Sequence, residues 1–298
     1  MITVKGATKF FDRYVALDSV DCTIPDGCIY GLVGSNGAGK STLLRLITGV
    51  YKADAGSVTV DGEDVYDNPN AKAKIMYVPD ELYFLPQANM YRMAHFYKSV
   101  YPEFSMERFE ALAKRFNLDP KKNISTFSKG MKRQAATILG LACRTKYLLF
   151  DETFDGLDPV MRNFVKSVIY EDICDRGATA VITSHSLREL EDTCDQLALL
   201  HKGGIILQSD VGQLKTNLFK VQAVFDRPFD KEMFDGFDML HFSKHGSVCN
   251  LILRGDQNET LAKIQLLSPI LTEVLPLTLE EVFLYEMESL GYSIENFQ

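Results

Sequence analysis

The run Gly34-Ser35-Asn36-Gly37-Ala38-Gly39-Lys40-Ser41 fits the phosphate-loop template G-x-x-x-x-G-K-[ST] at every fixed position. Glycines at those spacings let the backbone curl until successive N–H groups face one anion, and the helix that follows adds the positive end of its dipole. Ser35, Asn36, Gly37, Ala38, Gly39, Lys40, Ser41 and Thr42 are therefore the candidate contacts to a nucleoside triphosphate. Lys40 is expected to reach the β- and γ-phosphates, and the Ser41 hydroxyl to ligate magnesium. Asp151 and Glu152 are adjacent carboxylates closing the apolar run Leu148-Leu149-Phe150. They can divide the work, Asp151 holding magnesium through water and Glu152 polarising the water that attacks the γ-phosphate. His185, at the end of another apolar run, is a third candidate at the γ-phosphate. Ser128 and Gly130 open the helical stretch Lys132 to Leu139 and offer a second anion-binding helix start, which points to shared nucleotides; an ordinary cap by Ser128 is the competing reading.

These residues need a scaffold that delivers them to one edge. Cys28 to Val33 reads as a buried strand and Thr42 to Ile47 as a helix, so the glycine loop occupies a strand-to-helix turn. Tyr147 to Phe150 and Ala178 to Thr183 read as buried parallel strands, with a helix over Met161 to Cys174 between them. Short β-like runs at Ile2 to Val4, Ala16 to Ile24 and Ser57 to Gly62 complete an α/β nucleotide-binding core. From about Glu81 to Phe127 the texture changes to aromatics among helix formers, a helical insert. After Val211 the pattern resets to strands at Phe219 to Phe225, Val248 to Leu253 and Leu271 to Leu275, with helices at Leu261 to Leu267 and Leu279 to Leu290. Thr278-Leu279-Glu280-Glu281 and Ser186-Leu187-Arg188-Glu189 both fit the capping box, which makes Ser186 a cap rather than a nucleophile.

Composition narrows the classes. A net charge of -8 argues against nucleic acid as the main partner, since phosphate backbones demand clustered Lys and Arg. The N-terminal residues lack the pattern of a signal peptide, and no stretch approaches the roughly 20 apolar residues of a membrane span, so a cytoplasmic location is expected. The six cysteines show no metal-ligand spacing and read as reduced core thiols.

Taken in order, GSNGAGKST, FSKGM, LLFDE, FDGLDP and TSH resemble the nucleotide-binding subunit of an ATP-binding cassette (ABC) transporter, over about residues 1 to 210. The segments Ile75 to Asp80 and Thr278 to Phe283 resemble the ABC-2-type branch of bacterial exporters. The resemblance implies an α/β fold: a P-loop NTPase core over residues 1–212, with an antiparallel β subdomain and a helical subdomain near 81–145; the reset of the pattern after Val211 reads as a small C-terminal α/β domain over 213–298. It assigns Phe127 to Met131 to the signature loop, Asp158 to the D-loop, His185 to the switch histidine, and Phe11 to adenine stacking with Tyr14 as rival. It also implies that ATP and Mg2+ are bound between two such subunits, as a homodimer or heterodimer. Ser128, Gly130 and Asp158 would complete the partner's site. The engine would serve separately encoded transmembrane permease subunits, peripheral on the cytoplasmic face of the cell membrane, with the aromatics from Tyr83 to Phe104 either docking a permease helix or packing a core. This sequence departs from the pattern at Asp80, where a glutamine is usual, and at Lys129 and Met131 in the signature. Asp80 accepts hydrogen bonds only and could approach magnesium. It motivates the alternative of a nucleotide-gated interaction module with little turnover, against which Glu152 weighs. A soluble cassette ATPase of the translation-factor or DNA-repair type would need a second cassette or a long coiled-coil insertion, and neither is visible.

Overall fold

In the computed structural model, residues 1–212 and 218–289 are described, and they fall into two compact units, Met1–Gln208 and Ser209–Gln298. In chain order the first carries β1 (Ile2–Phe11), β2 (Tyr14–Ile24), β3 (Ile29–Val33), α1 (Lys40–Ile47), β4 (Ala55–Val60), β5 (Glu63–Asp64), α2 (Pro69–Ala73) and β6 (Ile75–Val78). Then come α3 (Met90–Val100), α4 (Met106–Arg115), α5 (Lys129–Ala142), β7 (Tyr147–Phe150), α6 (Pro159–Arg176), β8 (Thr179–Ser184), α7 (Leu187–Leu190), β9 (Gln196–His201) and β10 (Gly204–Asp210).

Two sheets share the core of this unit. One has the order β10-β9-β3-β8-β7-β6, and its β9, β3, β8, β7 and β6 run parallel. Every residue of β3, β7 and β8 is buried, which is why these strands read as unbroken apolar runs rather than alternating ones. The antiparallel sheet β2-β1-β4-β5 packs its Ile2, Val4, Leu17, Val20 and Val60 with Leu43, Leu44 and Ile47 of α1 and Leu149 and Val181 of the parallel sheet. α1 is thus clamped by apolar contacts along its length, which fixes the loop at its head.

The helices α3 to α5 start on local caps, with Asn89, Ser105 and Ser128 accepting the N–H groups of Arg92, Arg108 and Met131. The aromatics of this region divide between the interior and the surface. Phe104, Phe109 and Phe116 are buried, whereas Tyr83 and Phe96 are exposed. Asp158 caps α6 ahead of Pro159, and Gly177 ends it in the left-handed region at φ 62°. Cys174 in that helix is exposed, contrary to its reading as a core thiol, while the other five cysteines are buried.

The second unit is an antiparallel sheet of order β12-β13-β11-β14, formed by β11 (Leu218–Val224), β12 (Met239–His245), β13 (Val248–Arg254) and β14 (Leu271–Leu275) with α8 (Gln257–Leu266) and α9 (Leu279–Ser289). Phe219, Val221 and Ala223 alternate onto one face of β11 and meet Cys249, Leu251 and Leu253 of β13, Phe225, Phe234 and Ile264. β12 was not foreseen because His241, Ser243, Lys244 and His245 interrupt its apolar pattern. α8 begins earlier than its apolar residues indicate, since Asp256 accepts the Glu259 N–H at 2.9 Å. The capping box at α9 is formed: Thr278 N–H donates to Glu281 at 3.0 Å and Glu281 N–H to the Thr278 hydroxyl at 3.2 Å. Leu290, placed in this helix by its pattern, lies outside the described residues.

Candidate nucleotide site

β3, β7 and β8 are hydrogen-bonded neighbours running in one direction, so the residues that follow them leave the sheet at one edge. After β3 the chain enters the glycine loop, where Gly37 and Gly39 have φ of 81° and 110°. Gly39 immediately precedes α1, and no side chain caps that helix. Its first N–H groups are left to an anion, and its first turn carries no acidic residue to compete. A Cβ at Gly39 would stand 2.7 Å from the Ala16 carbonyl oxygen. Gly39→Ala is therefore expected to destabilise the first unit by roughly 2–4 kcal/mol, from left-handed strain plus overlap, read as a lowered midpoint in thermal or urea unfolding.

The loop opens into a cleft lined by Ser35, Asn36, Gly37, Ala38, Gly39, Lys40, Ser41 and Thr42, together with Phe11, Tyr14, Ala16, Asp80 and Glu152. Phe11 and Tyr14 both reach it. Phe11 stacks edge-on against Tyr51 at 5.4 Å, and the Tyr14 hydroxyl donates to the Gly37 carbonyl at 3.2 Å. Lys40 is buried, and its ammonium donates to the Gly34 and Ser35 carbonyls at 2.6 and 3.2 Å and pairs with Glu152 Oε1 at 3.1 Å. The other Glu152 oxygen, Oε2, meets His185 Nδ1 at 3.1 Å. Glu152 thus stands between the loop lysine and the histidine, on a backbone of φ 47°. That conformation is costly for a residue with a Cβ and is held by a hydrogen bond from its N–H to Thr183 Oγ1 at 2.9 Å.

Asp151 has a different environment. It is fully buried and does not line the cleft; its Oδ1 accepts from the Thr183 hydroxyl at 2.7 Å and its Oδ2 from the Tyr77 hydroxyl at 3.0 Å. Burial beside this carboxylate pushes the Tyr77 hydroxyl above its usual range. Asp80 lines the cleft, with its carboxylate paired to Arg133 of α5. Ser128, Gly130 and Asp158 are not among the lining residues. Ser128 and Asp158 serve as helix caps, accepting from Met131 at 3.2 Å and Met161 at 2.9 Å, and a Cβ at Gly130 would meet only ordinary contacts.

Ser186 does not cap α7 as its spacing predicted. Its N–H donates instead to Ser184 Oγ at 3.0 Å, the Ser184 hydroxyl donates to Glu189 at 2.6 Å, and Glu189 pairs with Arg162 at 2.9 Å. Ser184 at the buried strand end competes for Glu189 and takes it, which breaks the reciprocal pairing that the capping-box spacing predicts. Sequence reasoning also passed over Tyr77, Thr183 and Arg133. Tyr77 and Thr183 were visible only as strand residues, and Arg133 only as a helix residue.

The donor set suits a nucleoside triphosphate with magnesium: an uncapped helix start, a buried ammonium, a hydroxyl at Ser41 and a carboxylate held over them. Among the described residues no cluster of three or more His, Cys, Asp or Glu could hold a metal alone, so a cation here would depend on phosphate oxygens.

The family model described as ABC transporter matches residues 17–155. Along nearly its whole length the chain is similar to the ABC transporter ATP-binding protein YtrB of Bacillus subtilis strain 168, 30% identical over 95% of this chain and 97% of that protein. It is 31% identical to the methionine import ATP-binding protein MetN of Mannheimia succiniciproducens, over 73% of this chain and 67% of that one. Its fold matches the dimeric, post-hydrolysis ATP-binding cassette MJ0796 bound to ADP and phosphate, with a TM-score of 0.64 at 20% identity over 71% of this chain and 99% of that chain.

Proposed function

The chain belongs to the ABC transporter family, whose ATP-binding subunits are ATPases, and on that premise we propose that it is the ATP-hydrolysing subunit of a membrane transporter, working as a pair of cassettes. The observation that carries the reading is the placement of Glu152 between Lys40 and His185, 3.1 Å from each, at the rim of the phosphate loop. Lys40 and the N–H groups at the head of α1 bind the β- and γ-phosphates, and Phe11 or Tyr14 offers the adenine a face. Glu152 accepts the proton of the attacking water, whose oxygen bonds to the γ-phosphorus as the bond to the β-phosphate oxygen breaks and ADP leaves. His185 orients that carboxylate. Ser41 would hold a magnesium ion together with the bound phosphates, and that ion would supply neutralisation of the triphosphate charge. Asp151 supports this site from behind, through Thr183, and reaches a metal only through water.

Ser128, Gly130 and Asp158 stand at the starts of α5 and α6, and we assign them to the partner cassette's nucleotide, so that closure of the pair completes each site. No helix among the described residues is long and apolar enough to cross a membrane. From the resemblance of its motifs to those of ABC transporter cassettes we propose docking at the cytoplasmic face on separate permease subunits, for which exposed Tyr83 and Phe96 are available. Export is the direction favoured by the Ile75 to Asp80 and Thr278 to Phe283 segments, which resemble the exporter branch. The decisive measurement is magnesium-dependent ATP hydrolysis against protein concentration. A rate per chain that climbs with concentration is expected of sites shared between two copies; a rate per chain independent of concentration would sink the shared-site reading.

A further inference from the structure

Among the described residues lining the cleft, Lys40 carries the only positive side chain, against the carboxylates of Asp80 and Glu152, a poor side-chain balance for a triphosphate. The correction comes from outside the lining. Arg133 of α5 is 2% exposed, and its Nη2 pairs with Asp80 Oδ1, while the Asp80 side chain is 52% exposed toward the cleft it lines. The next carboxylate, Asp155, stands 3.9 Å from the same nitrogen and is already taken by Lys129 at 2.8 Å. The other terminal nitrogen, Nη1, is buried with no hydrogen-bond partner. A guanidinium buried so deeply is expensive unless an anion holds it, so the Arg133 charge is committed to Asp80. The register of the parallel sheet tells where that carboxylate sits. Val78 of β6 pairs with Phe150 of β7, so Asp80 and Glu152 each lie two residues beyond a paired position at the same edge of the sheet, and both line the cleft.

We propose that Arg133 is a positioning residue for ATP, neutralising Asp80 from behind the cleft so that an acid can occupy this place without repelling the γ-phosphate. The inference rests on the nucleotide reading of the cleft. Asp80 and Arg133 then act as a unit, in which the acid is tolerable only with its buried partner.

The test is equilibrium binding of ATP and of ADP, each with magnesium, to the full chain by titration calorimetry, for the wild type, Arg133→Gln, Asp80→Asn and the double variant. Arg133→Gln is expected to weaken ATP binding about tenfold and ADP binding by less, because the uncovered charge lies at the γ end. Adding Asp80→Asn is expected to return ATP affinity to within about twofold of the wild type. A loss not reversed by Asp80→Asn makes Arg133 merely structural and overturns the proposal. Unchanged or tighter ATP binding in Arg133→Gln overturns it as well. Should Arg133→Gln lose its cooperative melt, Arg133→Lys keeps the charge but gives up the fork, and a smaller loss reversed by Asp80→Asn is again required. Failure of the wild type to bind ATP would instead sink the nucleotide reading itself, so the two failures are distinct.

Discussion

Lys40→Ala lowers ATP affinity by at least about 100-fold in equilibrium titration, because two charge-assisted hydrogen bonds to phosphate are worth about 1.5–3 kcal/mol each. The ammonium is buried and already polarised by two loop carbonyls and by Glu152, so the side chain is pre-placed rather than recruited from solvent. The same substitution leaves the Gly34 carbonyl short of a donor, while that of Ser35 still accepts the Ala38 N–H at 3.1 Å, at a cost of about 1–3 kcal/mol in folding stability. Lys40→Met fills the space without the charge and separates these effects. A variant that melts as the wild type does and still binds ATP with wild-type affinity removes Lys40, and with it the phosphate-loop assignment.

The second large effect is on chemistry alone. Glu152→Gln preserves shape and the His185 contact but cannot take a proton, and general-base contributions run to about 10²–10⁴-fold in rate. Turnover is expected to fall by that order while ATP binding is kept, since Lys40 loses a competing carboxylate and becomes freer for phosphate. The paired cassettes should then accumulate in the nucleotide-bound form, visible as an ATP-dependent dimer in sedimentation. Unchanged single-turnover hydrolysis would remove Glu152 as the base.

The ordered motifs made the nucleotide core legible because each is short, local and chemically constrained. Gly34 to Ser41 needs its glycines for backbone reasons, and Leu148 to Glu152 shows both the burial of a central strand and the acids at its end. What the sequence hid was pairwise. Asp151 and Glu152 look equivalent as neighbours, yet one is sealed under Tyr77 and Thr183 and the other faces Lys40 and His185, because the chain leaves the strand after Phe150 and turns through the left-handed backbone of Glu152. Asp80 was legible as a departure from a family pattern, but its partner Arg133 lies 53 residues away and no local spacing signals such a pair. In the second unit, β12 escaped notice because a strand with polar residues on both faces carries no period to read.

Thr183 gives the two acids a common mount. One hydroxyl donates to Asp151 and accepts from the backbone of Glu152, at 2.7 and 2.9 Å. Motion of the sheet edge is therefore shared, through one oxygen atom, between the Asp151 carboxylate and the backbone of Glu152. What such a mount holds constant is a difference in position, that between one acid and the backbone of its neighbour, whatever the absolute place of either.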